Sequence, residues 1–343
     1  MMRRQNRAKA KVSDVAAKAG VSVATVSRAF NLPDVVRHDV RLHVLDVARK
    51  MGYSPNPAAK ALRLQKTHIV GAVIPTLDYA IFARMIDSFQ DTLAASDYMT
   101  IVLTTGFDNT SVFDKVKLLV DRGAEALLIV GAVEDPKLRK YLRETSIPVV
   151  TTYSHQSNGI VPSIGFDNYA ATKSALDYLI GLGHQNFAMI AGSTLGNDRQ
   201  RARIQAYRDA IGQAGLKGVD HIFTRPFTIG DGAEAMREIH SLHPKTTAVV
   251  CNTDIFAFGV VSECRKLKLQ IPADISIMGF DDAEYAAFLN PPLTTIAVPA
   301  QDMGIRAAKA IYGALAENKK LNSEKLETKL MVRLSTGRPK SFE

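Results

Sequence analysis

Cysteine is nearly absent: Cys251 and Cys264 are the only two in 343 residues, with no CxxC spacing and no nearby histidine pair. That argues against a disulfide framework or a zinc site and leaves buried free thiols as the expectation. Long hydrophobic runs are missing too. No stretch of about 18 apolar residues occurs, so nothing is expected to span a membrane. GxSxG, GxGxxG, HExxH and the phosphate-loop pattern GxxxxGK with a following Ser or Thr are all absent, and isolated residues such as His155 and His184 are expected to serve structure. No enzymatic activity, cofactor or metal is expected. The opening MMRRQNRAKAK is basic but lacks the apolar core and cleavage site of a signal peptide, so the protein is expected to stay in the cytoplasm. Leucine heptads do not precede the final RPKSFE, so a C-terminal helical bundle, and with it a tetramer, is not expected.

What is present is unevenly distributed charge. Residues 1–66 hold 14 Lys and Arg against four Asp, a balance of +10, so the other 277 residues sum to −1. Concentrated positive charge of this kind neutralises phosphates and releases their counterions. A disordered basic arm explains residues 1–10, but not the ordered pattern that follows.

That pattern is VSDVAAKAGVSVATVSRAFN, residues 12–31. Val15, Ala16 and Ala19 share a helical face, Gly20 permits a break, Val21 plugs inward, and Ser22 is placed to cap a second helix. Two short helices so joined suit one geometry: the first crosses a nucleic-acid backbone and the second sends its N-terminal side chains into the major groove. A third helix is expected over Arg37 to Met51, with Val40, Val44, Leu45, Val47 and Ala48 as its apolar stripe and Gly52 ending it, closing a small core with Val15, Val26 and Phe30. In YSPNPAAKALRL, residues 53–64, Asn56 can cap and Pro57 suits a first helical position, but so short a helix is marginal in water and is expected only when something such as DNA holds it.

From His68 onward, apolar runs at 69–74, 100–103, 126–130, 148–152, 187–192, 248–252 and 275–280 alternate with amphipathic segments. Unbroken apolar strands separated by helices imply parallel sheets covered on both faces, and this length needs two such units. The expected fold class is α/β: a small all-α headpiece and hinge helix, then two doubly wound parallel-sheet lobes of periplasmic-binding-protein type. Crossovers are expected near Gly165 to Asn168, near Val298 to Asp302 before a helix from Gly304 to Leu315, and through LMVRL at 330–334, so that a hinged cleft separates the lobes.

DVAAKAGVSVATVSRAFN, then GYSPNPAAKAL, then GFDD and PPLTTI near the end of an α/β body, resemble the lactose repressor and galactose repressor family of bacterial transcription regulators, from Val12 to about Gly337. IGFDN at 164–168 and CNTD at 251–254 are similar to segments of its gluconate-operon repressor branch. The resemblance implies a headpiece over 1–55, a hinge over 56–67, an N-terminal lobe from 68–166 and 299–326, and a C-terminal lobe from 167–298 and 327–338. It implies base contacts from Val23, Ala24 and Arg28, and phosphate or positioning contacts from Ser22, Thr25, Ser27, Asn31 and Tyr53. Asn56, Ala59 and Lys60 would join them from the hinge, with Leu62 as a wedge between base pairs from the minor groove. The chemistry agrees, since Arg28 can pair bidentately with guanine while Val23 and Ala24 offer only apolar contact to a thymine methyl. Lys11 and Arg37 depart from the family's usual caps, and Ser13 is expected to cap the first helix instead.

For the cleft, the resemblance implies effector contacts at Arg203 and Asp281. A guanidinium facing a carboxylate suits a polyhydroxylated ligand, and the arginine alone can hold an acid group. Thr253 and Asp254 follow a strand end and read equally as ligand contacts or as a helix cap. Thr76, Asp78 and Phe82 are further candidates from the other lobe. Arg199 and Arg201 suggest an anionic sugar derivative or, equally, a solvated helix face. The function implied is a sequence-specific regulator, a repressor of carbohydrate or sugar-acid use, working as a homodimer on palindromic double-stranded DNA and controlled by a small effector, a sugar or sugar acid such as gluconate. The alternative is a sugar-binding protein of periplasmic type without DNA regulation.

Overall fold

A computed structural model describes residues 10–55, 66–108, 110–157 and 159–340, and the chain divides into two compact units, residues 1–67 and 68–343. The expected hinge helix, with Asn56, Ala59, Lys60 and Leu62, lies outside the described residues.

The first unit holds α1 (Val12–Ala19), α2 (Val23–Asn31) and α3 (His38–Lys50). Gly20 ends α1 at φ 67°, a conformation open to glycine at no steric cost, and the Val21 amide donates back to Ala16 O at 3.1 Å. Ser22 caps α2, its Oγ accepting from the Thr25 amide at 3.0 Å. Val15, Val26 and Val44 are fully buried among Ala16, Ala29 and Ala48, and Phe30 meets Tyr53 edge-on at 5.8 Å.

One expectation fails: Ser13 does not cap α1. The helix has begun at Val12, and the carboxylate of Asp14 accepts the Lys11 amide at 2.8 Å, so an acidic side chain inside the first turn does what a cap residue would do from outside.

In the second unit the strands are β1 (Ile69–Ile74), β2 (Met99–Thr104), β3 (Ala126–Val130), β4 (Val149–Thr152), β5 (Ser163–Gly165), β6 (Phe187–Ala191), β7 (Ile222–Thr224), β8 (Ala248–Cys251), β9 (Ser276–Met278), β10 (Thr295–Ala297), β11 (Glu324–Lys325) and β12 (Lys329–Met331). The helices are α4 (Ala80–Ala94), α5 (Val112–Asp121), α6 (Pro136–Thr145), α7 (Asn168–Gly181), α8 (Asp198–Gln213), α9 (Ile229–Leu242), α10 (Asp254–Lys266) and α11 (Ala300–Glu317). The N-terminal lobe is a parallel sheet in the order β11-β5-β4-β3-β1-β2; the C-terminal lobe is a parallel sheet β7-β6-β8-β9, flanked by the antiparallel pair β10-β12.

Burial on both faces explains the continuous apolar runs of β3 and β6, every residue of which is buried. Gly71 shows how tight the packing is, since a Cβ there would meet Leu119 and Leu127 at 2.8 Å. The chain passes between lobes after β5, after β10 and between β11 and β12, where the Leu326 amide still bonds Gly165 O at 2.7 Å. Two details differ from expectation. Helix α11 starts at Ala300, directly after Pro299, rather than at Gly304, and β12 ends at Met331 rather than running to Leu334. Its edge position, paired on one side with β10, leaves Val332 and Leu334 exposed.

Candidate functional sites

On the first unit, α2 buries Val26 and Ala29 and turns Val23, Ala24 and Arg28 outward, with Val23 47% exposed. A β-branched apolar side chain so exposed at the start of a helix gains nothing from folding; its use is contact with another surface. Arg28 has no polar partner among the described residues, so its full fork of donors is free. The other predicted contacts are partly committed. Ser22 Oγ and Thr25 Oγ1 lie 2.9 Å apart, Asn31 Nδ2 donates to Ser27 O at 2.7 Å, and Tyr53 is half-buried against Phe30. They hold the helix in shape, while Val23, Ala24 and Arg28 form its open face.

Within the second unit a cleft opens between the lobes at the C-terminal ends of the strands, the usual ligand position in doubly wound sheets. Tyr79, Ile81, Phe82, Phe107 and Tyr153 line it from one side; Asn197, Arg199, Gln200, Arg203, Phe227, Asn252, Thr253 and Asp281 line it from the other. Arg203, Thr253, Asp281 and Phe82 are thereby brought together as the sequence suggested. The rest are not. The Asp254 carboxylate is buried at the start of α10, where it accepts from Thr295 Oγ1 and the Ala283 amide, both at 2.7 Å, and so braces the wall from behind. Thr76 and Asp78 form a local turn outside the cleft, Thr76 Oγ1 accepting the Asp78 amide at 3.0 Å, because the chain bends before it reaches the lining residues of α4.

Arg203 is the anchor of the C-terminal wall. Its Nε donates to Asn168 Oδ1 at 2.9 Å and one terminal NH to Asn252 O at 2.6 Å. Asn252 Nδ2 in turn donates to Gln200 Oε1 at 2.9 Å, and the same oxygen accepts the Gly192 amide at 3.0 Å. Burial lowers the Arg203 pKa to about 10, opposed by the nearby carboxylate of Asp281, so the guanidinium stays charged at neutral pH. Burial likewise pushes the Asp281 carboxyl up to about 6, against the pull of Arg203 and of the Thr253 hydroxyl that donates to it at 2.7 Å. Thr253 Oγ1 also accepts the Ile255 amide at 3.4 Å, so this residue both caps α10 and faces the cleft. Two of the lining residues, Tyr153 and Asp281, hold positive φ, 67° and 119°, which is unusual for side chains of this size.

The lobes meet across the cleft. Phe107 and Phe227 stack at 4.1 Å, Arg201 pairs with Glu134 at the rim, and Ser154 Oγ donates to Asp198 at 2.5 Å. Tyr79, Phe107, Tyr153, Gln200, Asn252 and Phe227 were not singled out from sequence. Most follow a strand end or open a helix, so applying the strand-end rule to every strand would have found Tyr153 and Asn252. Phe107 and Phe227 carry no such signal. Cys251 and Cys264 are free and buried, and burial pushes the Cys264 thiol up to about 12. His184 is structural, bonded to Thr247 Oγ1 and Gly337 O, both at 2.9 Å. Among the described residues no helix is long and apolar enough to cross a membrane.

A helix-turn-helix unit carried with a two-lobed body that encloses a polar cleft defines a ligand-responsive class of DNA-binding protein. Residues 11–56 match the model for bacterial regulatory proteins of the lacI family, and residues 176–336 match a periplasmic binding protein-like domain. The chain thus carries a DNA-binding domain of the lacI family joined to a periplasmic binding protein-like domain. It is 29% identical over 330 residues to the HTH-type transcriptional repressor CytR of Escherichia coli K12, covering 95% of this chain and 96% of the relative. It is 28% identical over 329 residues to the HTH-type transcriptional regulator RegA of Clostridium saccharobutylicum, covering 95% and 98%. Among solved structures it is similar to the lac repressor dimer bound to operator and an anti-inducer, with TM-score 0.85 at 22% identity over 96% of this chain and 99% of that one. A lacI-family regulator from Silicibacter pomeroyi gives TM-score 0.88 at 21% identity, covering 96% and 100%.

Proposed function

We propose that the protein is a repressor of a carbohydrate or sugar-acid utilisation operon, acting in the cytoplasm as a homodimer on a palindromic operator. Its DNA affinity is set by a small effector in the interlobe cleft. The observation that carries this reading is the open, unpartnered Val23, Ala24 and Arg28 face in a chain whose other unit holds the Arg203 and Asp281 cleft. Ser22, Thr25, Ser27, Asn31 and Tyr53 position that face, and Asn56, Ala59, Lys60 and Leu62 extend the contact toward the operator centre. Arg203, Asp281, Thr253 and Phe82 contact the effector, which is held and not transformed. Tyr285 and Phe288, 73% and 81% exposed, support a subunit contact through the C-terminal lobe.

Effector and operator must then be reciprocally coupled, each changing affinity for the other by one factor. The test is a fluorescence titration of the intact protein against operator and random duplexes at moderate salt, with and without candidate sugars, gluconate first. Preference for one palindrome, altered by a ligand that binds the cleft, is expected. Equal affinity for all duplexes would leave only a sugar-binding protein of periplasmic type.

A further inference from the structure

We propose that Arg199 reads an anionic group, a carboxylate or a phosphate monoester, on the molecule bound in the interlobe cleft. This rests on the reading of that cleft as the effector site. Three arginines lie within the first two turns of α8, and the structure separates their roles. Arg203 is built into the wall, as described. Arg201 lies at the rim and gives its guanidinium to Glu134 and to Thr194 O. Arg199 is different: it lines the cleft, is only 5% exposed, and among the described residues has one polar partner, Asp198, at 3.2 Å.

A guanidinium carries five N–H donors, and leaving buried donors unmet is expensive. Four of the five are uncommitted here, and Asp198 is itself shared with the Ser154 hydroxyl. The opposite lobe is shaped to admit the group. Gly131, just past the end of β3 at φ 88°, has no Cβ, and one placed there would lie 2.1 Å from a terminal nitrogen of Arg199. Arg199 also stands in the first turn of a 16-residue helix, where the aligned peptide dipoles favour negative charge. A second uncommitted atom shares the site: Asn252 Oδ1 is buried with no partner among the described residues and can accept a hydroxyl from the same ligand. Planar, forked donors at a buried helix start match the two oxygens of a carboxylate or phosphate better than a lone hydroxyl.

The test is calorimetric titration of the intact protein with matched pairs: glucose against gluconate, glucose against glucose 6-phosphate, and ribose against ribose 5-phosphate. The charged member of at least one pair is expected to bind about tenfold tighter or more. The gluconate and phosphate arms separate the two sources of charge. R199M should bring that ratio to near one, and R208M, which removes an exposed charge from the same helix, should keep it. Melting of ligand-free R199M should stay within about 4 °C of wild type, since Asp198 keeps its Ser154 bond. Equal or tighter binding of the neutral members, or a preference that survives R199M, overturns the proposal and leaves the effector reading standing. A melting loss well beyond that range would make Arg199 a latch between lobes and overturn it too. Binding by no member of any pair overturns the effector reading and the proposal together.

Discussion

The guanidinium of Arg203 lies over the ring of Phe280, its Cζ 3.5 Å from the ring centroid, while its N–H groups hold Asn168 and the Asn252 carbonyl. One side chain therefore ties α8 to the start of α7 and to the end of β8, fixing the C-terminal wall of the cleft with geometry that a point charge could not supply.

Replacing that residue tests both roles. Arg203→Met leaves two buried acceptors unmet and is expected to destabilise the protein by about 3 kcal/mol and to remove ligand binding. Arg203→Lys keeps charge without the fork and should fall between the two in denaturant melts and calorimetry. A variant as stable as wild type would show that the network carries no weight.

Asp281 gives the cleft a pH signature. Its folded-state pKa, about 6, lies above the unfolded carboxylate value of about 4. The folded form thus holds its proton more tightly. The stability this group contributes is complete below about pH 4 and is lost as pH rises through 6. Asp281→Asn removes that dependence, so the melting temperature of D281N relative to wild type should climb between pH 4.5 and 7. Parallel profiles for the two proteins would count against the assignment.

Arg28 should dominate sequence reading by α2. Arg28→Met is predicted to lower specific operator affinity by about 10- to 100-fold while weakening random-duplex binding far less. The salt dependence should lose about one phosphate's worth of slope if the residue also touches the backbone. Anisotropy titrations across salt concentrations separate these two effects.

The cap of α2 is a smaller, local effect. Ser22→Ala removes the acceptor for the Thr25 amide and should cost about 1 kcal/mol of headpiece stability. Faster hydrogen exchange over residues 23–31, with the second unit unchanged, is the expected readout.

Elements with a full-length repeating pattern were visible before any coordinates. The alternation of β1 to β4, β6, β8 and β9 with helices announced itself because buried parallel strands are apolar throughout, and α1 and α2 did so because Gly20 and Ser22 mark their junction. β5, β7 and β11 were not visible. Each is two or three residues long at or near a sheet edge, where neighbouring strands and not composition decide the pairing. The same limit left Asp254 undecided between a ligand contact and a helix cap. Its position after a strand suggested the cleft, but Thr295 and the Ala283 amide, some 30 to 40 positions away, draw the carboxylate inward.

Local pattern was enough for the three-helix unit, its outward face and the parallel α/β body, because capping, turn chemistry and burial act within a few residues of chain. The cleft is another matter. Arg199 and Arg203 look alike in the sequence, four positions apart on one helix. Only the folded chain, by bringing Asn168 and Asn252 to the Arg203 guanidinium and the bare backbone of Gly131 to that of Arg199, makes Arg203 a fixed part of the wall and leaves Arg199 with donors to spare.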